Sequence, residues 1–409
     1  MNKRMDRTKL NIGTYILQPY ARSEAHIKDL ADAGVNFVVC MDYDIPALDL
    51  FQKYGVGAIV SGILPGWWGG SGHNAGKMAE TNTLEKYEEA AARFADHPAI
   101  WGIDTGDEPS ALDFPHYGKV VEKTNQLFPN QFAYLNLYPN YASVAKNTSE
   151  ETVNQLGTAT YAEHIDKYCE YVGLDYICYD FYVYSHMSEN IDGKLENLRT
   201  VADACLRTGR SMWYVPQVNS LFPELWISEN MLRFQAYSAM AYGAETIIWA
   251  CWTGGWWTNQ VIGTDGNKTE QYEKVKKINH EIKTIGEEFM KYRRVATHII
   301  GYADGDLPGL KQDYIDVLNT GVFTDVKADG KIIAGQMVSR ENDGSYALMV
   351  CAADDPYDKA PAILNITFTA FGKKIRAIGG SGEIKINSLG NDKFSLELPS
   401  NAGVLIIAK

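Results

Sequence analysis

An α/β chain built on a (β/α)8 barrel, followed by a small all-β domain, is what the sequence predicts. Three observations carry it. An apolar strand followed by an amphipathic helix recurs eight times up to about residue 293, a rhythm that means parallel strands joined by crossover helices. Eight such units in under 300 residues fit a closed barrel better than an open doubly wound sheet. Beyond residue 293 the helical patterns give way to short alternating strands separated by Asp, Gly and Asn turns, the texture of a β-sandwich. The division is therefore 1–293 for the barrel and 294–409 for the sandwich.

The eight barrel strands read, in order, as "LNIGTYIL", "VNFVVCMDY", "VGAIVSGI", "AIWGIDTG", "FAYLNLY", "LDYICYDFYVY", "SMWYVPQV" and "TIIWACW". Between them lie helical stretches such as "SEAHIKDLADAG", "LEKYEEAAARFADHP", "NLRTVADACLRTG" and "ENMLRFQAYSAMAYGA", several ending at Gly or Pro as helix C-termini prefer. No GxGxxG follows the first strand, which argues against a dinucleotide fold. The second domain is read from "YALMVCAA", "ILNITFTAF", "GEIKIN", "KFSLELP" and "AGVLIIAK".

Composition narrows the partners. The 409 residues are 45% hydrophobic and 12% aromatic, enough to bury a large core, and the formal net charge is -13. That balance offers no basic stripe to phosphates, so nucleic acid and anionic membrane are not expected partners. No apolar run reaches the length of a membrane helix, and "MNKRMDRTKLNIG" has no apolar centre of a signal peptide. Six cysteines show no paired spacing and read as buried thiols, neither a disulfide frame nor a zinc site. These features predict a cytoplasmic chain, or a periplasmic or secreted one whose export signal has been removed. They leave the oligomeric state open.

In a barrel of this kind the chemistry gathers on the loops after the strands. Those strand ends present Tyr15 and Gln18, Asp42 and Asp44, Trp67 and Trp68, then Asp104, Asp107 and Glu108 after strand four. Asn136 and Tyr138 follow strand five, Asp180 and Tyr182 strand six, Gln217 and Asn219 strand seven, and Trp252, Trp256 and Trp257 strand eight. Indole faces bind the C–H side of sugar rings while amides and carboxylates take hydroxyls, so carbohydrate is the ligand class this inventory suits. Asp42, Trp67, Trp68, Asp107, Asn136, Tyr138, Tyr182, Gln217, Trp252 and Trp256 are the expected substrate contacts. The Gly-rich loop "LPGWWGGSGHNAGKM", residues 64–78, reads as a wall or lid. His73 and His186 fall in loops near the mouth, in no metal-ligand spacing, so neither a metal nor a cofactor is expected.

Glu108 is the expected proton donor, because a carboxylate in a partly dry, aromatic-lined cleft has its pKa raised and can protonate a leaving oxygen. The bland alternative makes Asp107 and Glu108 a first-turn pair favouring the dipole of the next helix.

With "WGIDTGDEP" after strand four, "LDYICYDFY" after the fifth helix, "AYGAETIIWACW" entering strand eight and the closing "LELPSNAGVLIIAK", the chain resembles the clan-A glycoside hydrolases. The resemblance is to the retaining enzymes of that clan and includes the β-galactosidase-like members that carry a small C-terminal β-sandwich. The resemblance implies a glycosidase with Glu108 as acid/base and Trp252 as the strand-eight indole beneath the sugar. Two positions depart from it. Asp107 stands where the family has an Asn that holds the sugar 2-hydroxyl, and Gln217 stands at the end of strand seven, where the family has its nucleophilic Glu.

Three explanations of that missing nucleophile stay open. The second carboxylate has moved, with Asp180 best placed and Asp42 and Asp107 behind it; a separation of about 5–5.5 Å would then mean retention and about 6.5–9.5 Å inversion, the favoured version. Alternatively the substrate supplies its own nucleophile, as an acetamido group can. Otherwise the barrel binds glycans without cleaving them. Asp180 also has a plain alternative role as a loop-capping side chain. A metal-dependent hydrolase using Asp42, Asp104 and Asp180 ranks last, for want of a histidine set.

Overall fold

The computed structural model describes residues 4–184, 190–302 and 318–409, with side chains from 321 in the last stretch. Its first sheet has eight strands in the order β5-β4-β3-β2-β1-β8-β7-β6, all parallel. They are β1 (Asn11–Tyr15), β2 (Phe37–Asp42), β3 (Gly57–Ser61), β4 (Ile100–Asp107), β5 (Phe132–Asn136), β6 (Tyr176–Asp180), β7 (Ser211–Val215) and β8 (Ala244–Trp249). The ring closes between β5 and β6 through a single bridge, Leu137 to Tyr179, where the Leu137 N–H donates to the Cys178 carbonyl at 2.9 Å. Along the rest of that seam the Tyr176 hydroxyl substitutes for a ladder, accepting from the Leu135 N–H at 3.3 Å and donating to the Ala133 carbonyl at 2.9 Å. The barrel is therefore the predicted one, stitched most lightly between its fifth and sixth strands.

Nine helices surround it among the described residues: α1 (Glu24–Asp32), α2 (Ile45–Tyr54), α3 (Met78–Thr81), α4 (Leu84–Ala91), α5 (Phe114–Leu127), α6 (Tyr161–Tyr171), α7 (Ile191–Thr208), α8 (Glu229–Ala241) and α9 (Gln271–Phe289). Their starts obey local chemistry. Ser23, Asp44, Asn190 and Ser228 cap α1, α2, α7 and α8 by accepting backbone N–H groups, and Thr160 with Glu163 forms a capping box on α6. Gly55 and Gly209 end α2 and α7 in the left-handed conformation, with φ of 71° and 72°, that favours glycine. α8 is buried along most of its length because it is covered on both sides, by β8 and by the second domain.

Two antiparallel sheets form that domain. One has the order β16-β15-β19-β13-β12-β9 and the other β10-β11-β14-β18-β17. The first contains β9 (Tyr292–Ile300), β12 (Ile332–Ser339), β13 (Tyr346–Ala352), β15 (Ile375–Gly379), β16 (Gly382–Glu383) and β19 (Gly403–Ala408). The second contains β10 (Leu318–Thr320), β11 (Phe323–Ala328), β14 (Ile363–Thr369), β17 (Asn387–Gly390) and β18 (Lys393–Pro399). Their inner faces share a separate core that includes Val326, Leu348, Ile366, Leu396 and Ile406. The other face of the six-stranded sheet, with Met349 and Leu405, joins the barrel core beneath α8. The six cysteines are free. Among the described residues no helix is long and apolar enough to cross a membrane.

Candidate active site

The end of β4 is fixed from both sides. The Asp107 N–H donates to the Trp67 carbonyl at 2.8 Å and the Asp107 carbonyl accepts from the Gly69 N–H at 3.0 Å, which sews the loop after β3 to the strand. The Glu108 N–H donates to the Asn136 carbonyl at 2.9 Å, tying the same point to β5. Glu108 itself sits in the left-handed region at φ 46°, a conformation that costs a non-glycine residue roughly 1–3 kcal/mol. Gly69 lies so close that a Cβ there would stand 1.6 Å from the Glu108 carbonyl oxygen, so the loop reaches this position only as glycine.

Four carboxylates gather at this mouth. Glu108 Oε2 accepts from the indole Nε1 of Trp68 at 3.2 Å. Asn136 donates its two amide hydrogens apart, to Asp107 Oδ1 at 3.0 Å and to Asp180 Oδ1 at 2.7 Å, and so bridges the ends of β4 and β6. Asp104, one turn of the pleat below, accepts from Ser61 Oγ at 2.6 Å and from the Gly106 N–H at 3.1 Å.

Burial and mutual repulsion act together on these groups. Burial first, then the charges of Asp180 and Asp107, raises Glu108 well above the ordinary carboxylate range. Asp107 is pushed up to about 7 by burial and by Asp104, and Asp180 to about 8 by burial and by Asp107. Asp107 and Glu108 nonetheless keep part of their surface open to solvent, whereas Asp180 is 4% exposed. Their protons belong to the cluster, which releases them in steps. Among the described residues no lysine or arginine pairs with any of the three.

The aromatic wall differs from the expected one. Trp256 packs edge-on against Tyr15 at 5.9 Å, and Tyr182 meets Trp257 at 5.0 Å; all three of Trp256, Trp257 and Tyr182 keep an exposed part. Trp256 Nε1 is buried without a hydrogen-bond partner. Trp67 is half-buried, and Trp68 is 67% exposed at the rim. Tyr141, which the sequence reading passed over, belongs to this cluster: it packs on Phe181 at 5.1 Å, and burial, then the charges of Asp180 and Glu108, raises its hydroxyl pKa. In a chain with 25 tyrosines its position two residues past Pro139 gives no signal.

Several expected substrate contacts are corrected. Trp252 is wholly buried, edge-on to Tyr272 at 6.1 Å, so it is core and cannot lie beneath a sugar. Gln217 is also wholly buried; its Oε1 accepts from the Tyr184 N–H at 2.7 Å and its Nε2 donates to the Asn219 carbonyl at 3.0 Å, so it holds backbone instead of ligand. Tyr138 is 2% exposed and donates to the Gly70 carbonyl at 2.7 Å, propping the loop. Asn136 has both amide hydrogens engaged by carboxylates and acts as a positioning residue. Asp42 points outward in an ion pair with Arg22 at 2.9 Å, which also holds Asp44, and no hydrogen bond links it to the cluster. That removes it from any metal set with Asp104 and Asp180. Among the described residues no group of three or more His, Cys, Asp or Glu side chains could hold a metal ion. Glu224 and His73 are exposed, Glu245 pairs with Arg340 at the other end of the barrel, and His186 lies outside the described residues.

No protein-family model matches the chain, and no curated protein matches it in sequence. Solved structures do. One described as a glycoside hydrolase aligns over 98% of this chain and 92% of its own, at 12% identity and a TM-score of 0.56. The endo-beta-1,4-mannanase from Thermotoga petrophila aligns over 97% and 93%, at 10% identity and 0.47. The GH128 endo-beta-1,3-glucanase from Sorangium cellulosum covers 65% of this chain and 97% of its own, at 15% identity and 0.41. The likeness at a TM-score of 0.56 is one of fold, a barrel carrying a β-sandwich.

Proposed function

We propose that the chain is a glycoside hydrolase whose barrel, residues 1–293, carries the active centre, with residues 294–409 as an accessory sandwich. Glu108 is the general acid. The observation that carries this is the state of its carboxyl group: burial, then the fields of Asp180 and Asp107, make it keep its proton to a higher pH than an ordinary glutamate, while an indole N–H at the mouth orients it. The fold likeness to a glycoside hydrolase agrees with it.

In the inverting form, ionised Asp180 takes a proton from water as that oxygen bonds to the anomeric carbon. Glu108 gives its proton to the glycosidic oxygen as the C–O bond breaks. Asp107, joined to Asp180 through Asn136, sets the charge state of the cluster. Trp68, Trp256 and Tyr182 supply flat faces for the sugar. A panel of aryl glycosides, including N-acetylated ones, tests the reading. Glu108→Gln should lose most turnover while still binding ligand. Full turnover in that variant would overturn the assignment.

A second reading, a barrel that binds glycans without cleaving them, is favoured by one observation. Gln217, at the place of a strand-seven nucleophile, is locked into the backbone around it and offers no carboxylate. Binding without hydrolysis across the panel, unchanged in Glu108→Gln, would select that reading.

A further inference from the structure

A second cavity lies at the opposite end of the barrel, where the strands begin. It has a volume of about 340 Å³ and is lined by residues before or at the starts of β6, β7 and β8, by Arg7 ahead of β1, and by Arg293, Arg294 and Arg340 of the second domain. In a chain with a net charge of -13, five guanidinium groups converge here: Arg7, Arg210, Arg293, Arg294 and Arg340.

Among the described residues, carboxylates meet three of them. Arg7 pairs with Asp175 at 2.5 Å, Arg294 with Asp203 at 2.9 Å and Arg340 with Glu245 at 2.5 Å. Arg210 is held by carbonyl oxygens of Leu174, Cys169 and Val172 at 2.8–3.2 Å, contacts that fix its orientation without a carboxylate beside it among the described residues. Arg293 is exposed and has no partner among the described residues. The same cavity is lined by Tyr242, 3% exposed, whose hydroxyl makes no hydrogen bond among the described residues. A tyrosine hydroxyl without a partner among the described residues, beside an excess of guanidinium charge, is the composition of an anion site, because the arginine fork matches the oxygens of a phosphate.

We infer that this cavity binds the phosphate group of a small molecule, through Arg293, Arg210 and the Tyr242 hydroxyl. Its volume stands at the lower end of the roughly 300–1,000 Å³ range of small-molecule pockets, enough for more than a bare phosphate. The inference is independent of the glycosidase reading and is tested by binding alone.

The full chain is titrated calorimetrically with inorganic phosphate and with glycerol 3-phosphate at constant ionic strength. Both should bind saturably at one site. Tighter binding of glycerol 3-phosphate identifies an organic phosphate as the ligand, and equal affinity identifies free phosphate. Arg293→Ala and Arg293→Glu, at an exposed position with no partner to lose, keep the fold and should weaken binding by about tenfold or more. Tyr242→Phe should weaken it less. The inference is overturned if neither anion saturates, or if the Arg293 variants bind as well as the parent.

Discussion

Replacing Asp180 with Asn should make the protein more stable at pH 8 and leave it nearly unchanged at pH 4. Asp180 is buried, and its carboxyl is raised to about 8 in the folded chain, against about 3.9 for an unfolded aspartate. A raised carboxyl makes the native state the better proton binder. Its contribution is fully present below the unfolded value and is lost as pH climbs from about 4 through about 8, because the unfolded chain ionises freely over that interval while the folded one does not. At 1.36 kcal/mol per pH unit the loss is bounded by about 5 kcal/mol, and proton sharing with Asp107 and Glu108 reduces it to about 2–3 kcal/mol. Asn keeps the acceptor that Asn136 Nδ2 reaches at 2.7 Å, so the variant removes the charge without removing the hydrogen bond. Thermal melts of both proteins at pH 4, 6 and 8 measure it. The gap in Tm should open steadily to roughly 5 °C at pH 8. A gap that is flat with pH, or an Asp180→Asn protein that melts lower at pH 8, would refute the electrostatic account of the cluster.

Four further outcomes follow from the same geometry. Activity on a glycoside substrate should rise and then fall with pH as the cluster, with Asp107 near 7, Asp180 near 8 and Glu108 raised well above its ordinary range, releases its protons in steps; Asp107→Asn should move the rising limb down by about one unit, read from kcat/KM profiles. Trp68→Phe removes the indole donor from Glu108 and should lower kcat/KM by about tenfold with little change in Tm, since the side chain is exposed. Gly69→Ala should be far more disruptive than its size suggests, with a stability loss of about 2 kcal/mol or more in urea melts, because its Cβ collides with the Glu108 carbonyl. Trp252→Ala should cost about 3–5 kcal/mol of stability, whereas Trp256→Ala should chiefly weaken ligand binding, a contrast visible by pairing melts with titrations.

The barrel was legible because each of its strands is a short apolar run followed by a helix, and the acidic pair at residues 107 and 108 was legible because a strand that ends in carboxylates breaks that pattern. The opening strands of the second domain were harder. "YRRVATHII" carries two arginines and lies at the edge of its sheet with much of its length half-exposed, so it has no clean alternation. Neighbouring indoles defeat sequence reasoning for a different reason. Trp252 and Trp256 are four residues apart at the end of one strand, and only the path of the chain turns the first into the core and the second toward the cleft. The amide at 217 was visible as a missing carboxylate, but its engagement with Tyr184 and Asn219 depends on segments that meet only in the folded ring.

The light stitching between the fifth and sixth strands bears directly on the carboxylates, because Asn136 ends one of those strands and Asp180 the other. The gap between the two acids is thereby governed by the weakest joint of the ring, with one amide acting as its rivet. Any opening of that joint widens the space in which the water of the proposed inverting reaction would stand. The tolerance of the proposed centre for solvent is thus written into a missing row of backbone bonds below the carboxylates.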